Sequence, residues 1–127
     1  MYRYLENDDL VVEDDEALRV ALAQILRRRG FETLDAASGA DAINLLRANS
    51  IKIDMMLLDM TIPGPSSHDV ADVAAKARPG LKVVLTSAYD EKLVRTTVGA
   101  TQACGFVRKP FQVDELVCTL RSTLSMH

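Results

Sequence analysis

The amino-acid sequence predicts an α/β domain in which five parallel strands and five helices alternate, with helices on both faces of the sheet. Short apolar runs alternate with helical patterns along the whole chain. One of these runs, 55–58, is apolar at every position, as in a strand that is covered on both faces. The length of 127 residues fits a single domain. We assign 8–127 to this domain and 1–7 to an N-terminal extension or linker.

The first three strands and two helices follow from apolar spacing and helix-end signals. The run 10–12 is the first strand, and 17–29 then places apolar residues at helical spacing up to Gly30, where a helix can end. Residues 32–36 predict a weaker second strand. Ser38 begins a capping pattern for the second helix, and the all-apolar run is the third strand.

The second half of the chain continues the alternation. Ser66 and Asp69 resemble another helix cap, and Pro79 with Gly80 ends that third helix. Three further segments follow, a fourth strand over 82–86, a helix over 90–99 and a fifth strand over 106–108. Apolar residues at helical spacing from Val113 onward predict the fifth helix.

Polar side chains stand at the predicted carboxyl ends of four strands. They are Glu13, Asp14 and Asp15 after the first strand, Asp59 after the third, Thr86 and Ser87 at the fourth, and Arg108 and Lys109, followed by Pro110, at the fifth. Ligands of open parallel sheets bind at this edge. Clustered carboxylates repel one another unless a hard cation such as Mg²⁺ joins them, and lysine suits a phosphate. This combination indicates phosphoryl transfer, for which an aspartate can be the nucleophile.

Four segments carry a family resemblance, and they read LVVEDDEALR, LLDMTIPG, VVLTSAY and GFVRKPF in chain order. In this order and at these separations they resemble the receiver domains of bacterial response regulators, over residues 8–126. The resemblance implies a flavodoxin-like, doubly wound sheet with the strand order 2-1-3-4-5. DMTIPG and KPFQVDEL are similar to receivers joined to hybrid histidine kinases, although a stand-alone regulator fits equally well.

The resemblance also implies a role for each matching residue. Asp59 is the implied phosphoacceptor, and the implied cofactor is Mg²⁺, or Mn²⁺ in its place. The implied metal ligands are Asp14 and Asp59 directly, Glu13 through water and Thr61 through its backbone carbonyl. The implied phosphoryl contacts and switch residues are Thr86, Lys109 and Phe106, and Pro110 is expected to follow a cis peptide bond.

The implied function is a signalling switch in a two-component phosphorelay. A sensor histidine kinase or a histidine phosphotransfer protein would donate the phosphoryl group to Asp59. The surface of the fourth predicted helix, the fifth strand and the fifth helix would then change. The expected chemistry is self-phosphorylation and slow self-dephosphorylation, because Ala88 offers no polar guide to water; turnover of an external substrate is not expected.

Composition narrows the partners and the compartment. The formal net charge of −3 argues against a nucleic-acid surface on this domain. No apolar run reaches the length of a membrane span, so we expect no membrane contact. Cys104 and Cys118 lack metal-ligand or redox spacing, which favours reduced thiols and a cytoplasmic location.

Three other functions remain open at this stage. A haloacid-dehalogenase-like phosphohydrolase also uses a nucleophilic aspartate, but it carries a second aspartate two residues on, where this chain has Thr61. A receiver-like module that is never phosphorylated is the second alternative, and flavodoxin-type FMN binding is the third. The sequence leaves two positions undecided. Phe106 could be a core residue and not a switch residue, and Ser67 stands where many receivers have glycine, so the conformation there is open.

Overall fold

The computed structural model describes residues 8–61, 66–92, 94 and 103–125. The described residues form five strands and four helices in alternating order. These are β1 (Asp8–Val12), α1 (Glu16–Arg28), β2 (Glu32–Ala36), α2 (Gly39–Arg47), β3 (Met55–Asp59), α3 (Ser67–Ala77), β4 (Lys82–Ser87), β5 (Ala103–Arg108) and α4 (Val113–Leu124). The predicted helix over 90–99 lies mostly outside the described residues, and its described positions 91, 92 and 94 are helical. The predicted extension over 1–7 lies outside them entirely.

The strands form one parallel sheet in the order β2-β1-β3-β4-β5, which confirms the predicted order. The inner strands β1, β3 and β4 are therefore neighbours, and their carboxyl ends meet at one edge. In this register Asp59 lies opposite Thr86, and Val12 lies opposite Leu58. The topology thus brings residues from distant parts of the sequence to the same edge.

The sheet separates two apolar clusters, because successive side chains of a strand point to opposite faces. On β3, Met56 and Leu58 pack in the cluster that includes α2 and α3 side chains, whereas Met55 and Leu57 pack in the cluster that includes α1 and α4 side chains. All four side chains are buried, which confirms that this run is covered on both faces. Removing one such side chain typically costs about 2–5 kcal/mol.

Short polar side chains cap three of the helices at their N-termini. Asp15 accepts a hydrogen bond from the N–H of Leu18 in α1, and Ser38 and Ser66 do the same for α2 and α3. The φ of 96° at Gly30, the residue after the C-cap of α1, lies in the region that favours glycine. Asp15 and Ser38 each begin a helix within a few residues of a strand end, which keeps the connections from β1 to α1 and from β2 to α2 short.

One buried carboxyl in β1 does not belong to the edge described above. Asp9 is fully buried, and within the described part of the chain neither of its carboxyl oxygens has a hydrogen-bond partner. Thr33, its register partner on β2, has a buried hydroxyl that also lacks a hydrogen-bond partner among the described residues. Burial raises the pKa of Asp9 well above its usual value. The carboxyl therefore destabilises the fold most at pH values where a carboxyl in water would be ionised.

Replacing Asp9 should stabilise the protein, and the gain should depend on pH. We expect Asp9→Val to raise the free energy of unfolding at pH 7 by about 1–3 kcal/mol. In the unfolded chain the carboxyl ionises above about pH 4, while the folded chain holds its proton to a higher pH. The gain should therefore grow as the pH rises above about 4 and level off once the pH passes the folded-state pKa.

Urea unfolding at a series of pH values measures this gain. Asp54→Asn is the matched control, because the Asp54 carboxylate accepts a hydrogen bond from the N–H of Asp8 and pairs with Lys52. We expect no gain from that control. If the gain in the free energy of unfolding for Asp9→Val stayed constant from pH 4 to pH 8, the pKa of Asp9 would be the same in the folded and unfolded states, which would contradict this prediction.

Candidate functional site

Three carboxylates converge where β1 and β3 end. Glu13 and Asp14 follow β1 directly, and Asp59 is the last residue of β3. One carboxylate oxygen from each of the three lies within 4.8 Å of the other two. Glu13 and Asp59 are 3% and 2% exposed, whereas Asp14 is exposed to solvent. The cluster therefore concentrates negative charge at a place that solvent reaches from one side.

The donor set of this cluster fits a hard divalent cation. Mg²⁺ prefers oxygen ligands and usually keeps several waters, and the exposed Asp14 leaves room for those waters. Among the described residues, Glu13, Asp14 and Asp59 are the one group of this kind found. The residues therefore match the chemistry of a magnesium site, which the sequence predicted at this edge.

Lys109 places an ammonium group against the two buried carboxylates. Its Nζ lies 2.8 Å from Oε1 of Glu13 and 3.4 Å from Oδ2 of Asp59. Its backbone N–H donates to the carbonyl of Ser87 at 2.8 Å, so β5 and β4 aim the side chain into the site. The peptide bond between Lys109 and Pro110 is cis.

The pKa values at the site reflect burial and pairing together. Burial raises the pKa of Glu13, and the hydrogen bonds from Lys109 and from the N–H of Asp15 offset only part of that rise. Burial alone would lower the pKa of Lys109, but its hydrogen bond with Glu13 and the charge of Asp59 outweigh burial and raise it. Lys109 therefore stays protonated at neutral pH and neutralises part of the charge of the cluster.

Two threonines lie beside Asp59. Thr61 donates to Oδ1 of Asp59 from its N–H at 3.2 Å and from its hydroxyl at 3.1 Å. Thr86 is buried and is the register partner of Asp59 on β4. The structure thus brings Glu13, Asp14, Asp59, Thr61, Thr86 and Lys109 to one edge.

Phe106 stands apart from the acidic cluster. It is half-buried on β5 and packs against the apolar cluster shared with α2 and α3. Its position is consistent with a core residue as well as with a switch residue.

Two contacts at the site were not foreseen from the sequence. Ser67, at the start of α3, donates from its hydroxyl to the backbone carbonyl of Asp59 at 2.9 Å. Arg19 on α1 donates to the backbone carbonyl of Glu13 at 3.0 Å. Ser67 departs from the expected family pattern, but the sequence does not indicate the partner of its hydroxyl. An arginine on a surface helix gives no signal of a partner, because it usually faces solvent.

An open cavity of about 450 Å³ lies beside the site. Its lining includes Leu18 of α1, Ala88 after β4, and the segment Lys109–Pro110–Phe111 after β5. Apolar atoms dominate this lining, and Lys109 connects it to the carboxylates. A side chain or small molecule in this cavity would lie next to the acidic cluster.

The pairing of Lys109 should stabilise the metal-free protein. With a chelator present, we expect Lys109→Met to lower the free energy of unfolding by about 1–3 kcal/mol, because a buried carboxylate loses its hydrogen bond. Chemical unfolding measures this loss. The matched control is Arg29→Met, since Arg29 pairs at 3.0 Å with Asp114, whose side chain is 89% exposed. That control should change stability by less than about 1 kcal/mol. Equal losses in the two variants would contradict a special role for Lys109.

Comparison with known proteins identifies relatives over nearly the whole chain. The family model of the response regulator receiver domain matches residues 10–121. The sensory transduction protein RegX3 of Mycolicibacterium smegmatis is 32% identical over 115 residues, which cover 91% of this chain and 49% of RegX3. The sensor kinase CckA of Brucella abortus is 28% identical over 115 residues, or 91% of this chain and 12% of CckA. The chain thus spans about half the length of the first relative and a small part of the second.

Solved structures agree with the observed fold. The non-phosphorylated receiver domain of HemR from Leptospira biflexa superposes with a TM-score of 0.80 at 28% identity, covering 96% of this chain and 97% of that one.

Within the described ranges, no helix combines the length and the apolar composition that a membrane crossing requires. A family match over residues 10–121, on a sheet of the order β2-β1-β3-β4-β5, shows that the chain belongs to the response regulator receiver domains of two-component systems.

Proposed function

We propose that this chain is a signalling switch that accepts a phosphoryl group on the carboxylate of Asp59. One observation carries the proposal: Asp59 is 2% exposed and shares its surroundings with two further carboxylates and the ammonium of Lys109. A carboxylate held among acids and one lysine is suited to attack phosphorus when a cation offsets the charge. Membership of the receiver family supports the same reaction.

The residues that would hold Mg²⁺, or Mn²⁺, follow from the donor set. Asp14 and Asp59 would bind it directly, Glu13 through a water, and Thr61 through its backbone carbonyl. Bound Mg²⁺ supplies positive charge that the phosphoryl oxygens need during transfer. Three carboxylate oxygens within 4.8 Å of one another support this assignment.

In the proposed reaction, an oxygen of Asp59 bonds to phosphorus while the phosphorus–nitrogen bond of a donor phosphohistidine breaks. The released imidazole takes up a proton. Lys109 would then pair with a phosphoryl oxygen, and the hydroxyl of Thr86 would donate to another. Ala88 brings no polar side chain to guide an attacking water, so we expect slow self-dephosphorylation. Membership of the receiver family favours a signalling module without turnover of an external substrate.

The proposed partner is a sensor histidine kinase or a histidine phosphotransfer protein. The kinase CckA, which contains a related segment, supports a donor of this class. After transfer, the side chain of Thr86 would shift toward the phosphoryl group, and the side chain of Phe106 would turn inward at the same time. The surface of β5, α4 and the predicted helix over 90–99 would then change its affinity for an output partner, as a population shift between two states.

Intact-mass spectrometry after incubation with acetyl phosphate and Mg²⁺ tests this proposal. We expect the wild type to gain the mass of one phosphoryl group, because Asp59 is the single proposed acceptor. Asp59→Asn should gain none. Asp54→Asn is the matched control, since Asp54 lies just before β3 at the other end of the strand, and it should be labelled like the wild type.

Three results would contradict the proposal. Labelling of Asp59→Asn would place the acceptor elsewhere. An unlabelled wild type with Mg²⁺ present would favour a receiver-like module that is never phosphorylated. Continuous hydrolysis of a small phosphate ester would favour a phosphohydrolase of the haloacid-dehalogenase type.

A further inference from the structure

A single peptide unit after Asp59 is held from two sides. Its carbonyl, which belongs to Asp59, accepts a hydrogen bond from the hydroxyl of Ser67 at 2.9 Å. Its N–H, which belongs to Met60, donates to the carbonyl of Thr86 at 3.0 Å. One end of this peptide is therefore tied to the first residue of α3 and the other end to β4. Both hydrogen bonds involve the main chain at Asp59 and Met60, and neither involves the carboxylate of Asp59.

The serine hydroxyl that makes this contact is buried. Ser67 is 5% exposed and lies after Ser66, which caps α3 with its own hydroxyl. A buried hydroxyl that bonds a main-chain carbonyl restrains the rotation of that peptide. Rotation of the peptide would move Thr61, whose N–H and hydroxyl both contact the carboxylate of Asp59. A chain of hydrogen bonds and one peptide unit thus connects the hydroxyl of Ser67 to the carboxylate of Asp59.

We propose that Ser67 is a positioning residue for the phosphoacceptor, acting through the peptide unit that links Asp59 to Met60. This inference rests on the proposed function, because it concerns how the same site is held for phosphoryl transfer. The contact comes from the side chain of Ser67 and not from its backbone. A glycine has no hydroxyl to hold the carbonyl of the acceptor.

A purely structural role for Ser67 makes a different prediction. Such a role would lower stability when the hydroxyl is removed and leave the chemistry of the folded protein unchanged. Positioning instead lowers the rate of phosphoryl transfer in protein that is fully folded. Small misplacements of reacting groups have large kinetic effects, so we expect about a tenfold lower rate.

The experiment compares Ser67→Ala, Ser67→Gly and Ser67→Thr with the wild type. The measurement is the rate constant of phosphorylation by acetyl phosphate at saturating Mg²⁺, under conditions where circular dichroism shows each variant folded. The alanine and glycine variants should be slowed about tenfold. The threonine variant keeps a hydroxyl and should recover most of the rate.

Ser66→Ala is the matched control. It removes the neighbouring hydroxyl, which caps α3 by accepting from the N–H of Asp69 at 3.2 Å. We expect it to lower the midpoint of urea unfolding, because a helix cap is lost, and to leave the phosphorylation rate unchanged. A rate effect confined to position 67 separates positioning from a general loosening of α3.

The proposal is overturned if the wild type is labelled on Asp59 and the alanine and glycine variants react at the wild-type rate. It is also overturned if neither variant folds, because Ser67 is then a stability residue. An unlabelled wild type would refute the proposed function itself, and with it this inference. A slow alanine variant with recovery by threonine supports the positioning role.

Discussion

The mutual repulsion of carboxylates at the end of β1 and β3 is the constraint on which this structure depends. Glu13 and Asp59 are buried beside each other, and the exposed Asp14 adds a third negative charge. Water cannot screen the two buried groups well, so a cation has to lie close to them. Lys109 meets this need in part, at 2.8 Å from Glu13 and 3.4 Å from Asp59. The remaining negative charge makes the same place suitable for a divalent cation, which would offset the repulsion between these carboxylates and a phosphoryl group.

The sheet makes this costly arrangement possible. Two apolar clusters, one on each face, hold the strands in register and stabilise the fold away from the charged edge. Because β1, β3, β4 and β5 are successive neighbours, their carboxyl ends deliver acids, a hydroxyl and a lysine to one place. The hydrogen bond from Ser67 ties α3 to the end of β3, and the N–H of Met60 ties the same peptide to β4. The end of β3 is therefore bonded to both α3 and β4.

The fold and the convergence of polar residues at one edge of the sheet were predictable because they follow from local patterns. The run 55–58 is apolar throughout, and acids or lysine stand where the strands end, so periodicity and topology suffice to bring them together. The contacts of Ser67 and Arg19 were not predictable, because they join a side chain to a main-chain carbonyl whose direction only the folded chain defines. The buried carboxyl of Asp9 was also missed, since a strand that begins with acids is usually assigned an exposed start. The role of Phe106 stays a prediction, because its packing suits both assignments.

A crystal structure grown with Mn²⁺ in place of Mg²⁺ would show whether a metal ion binds among the carboxylates of Glu13, Asp14 and Asp59, because anomalous scattering locates the ion without assumptions about its ligands. We expect one strong peak at the end of β1 and β3, within coordination distance of Asp14 and Asp59 and of the carbonyl of Thr61. A map at saturating Mn²⁺ without a peak among these oxygens, with Lys109 alone neutralising Glu13 and Asp59, would contradict it.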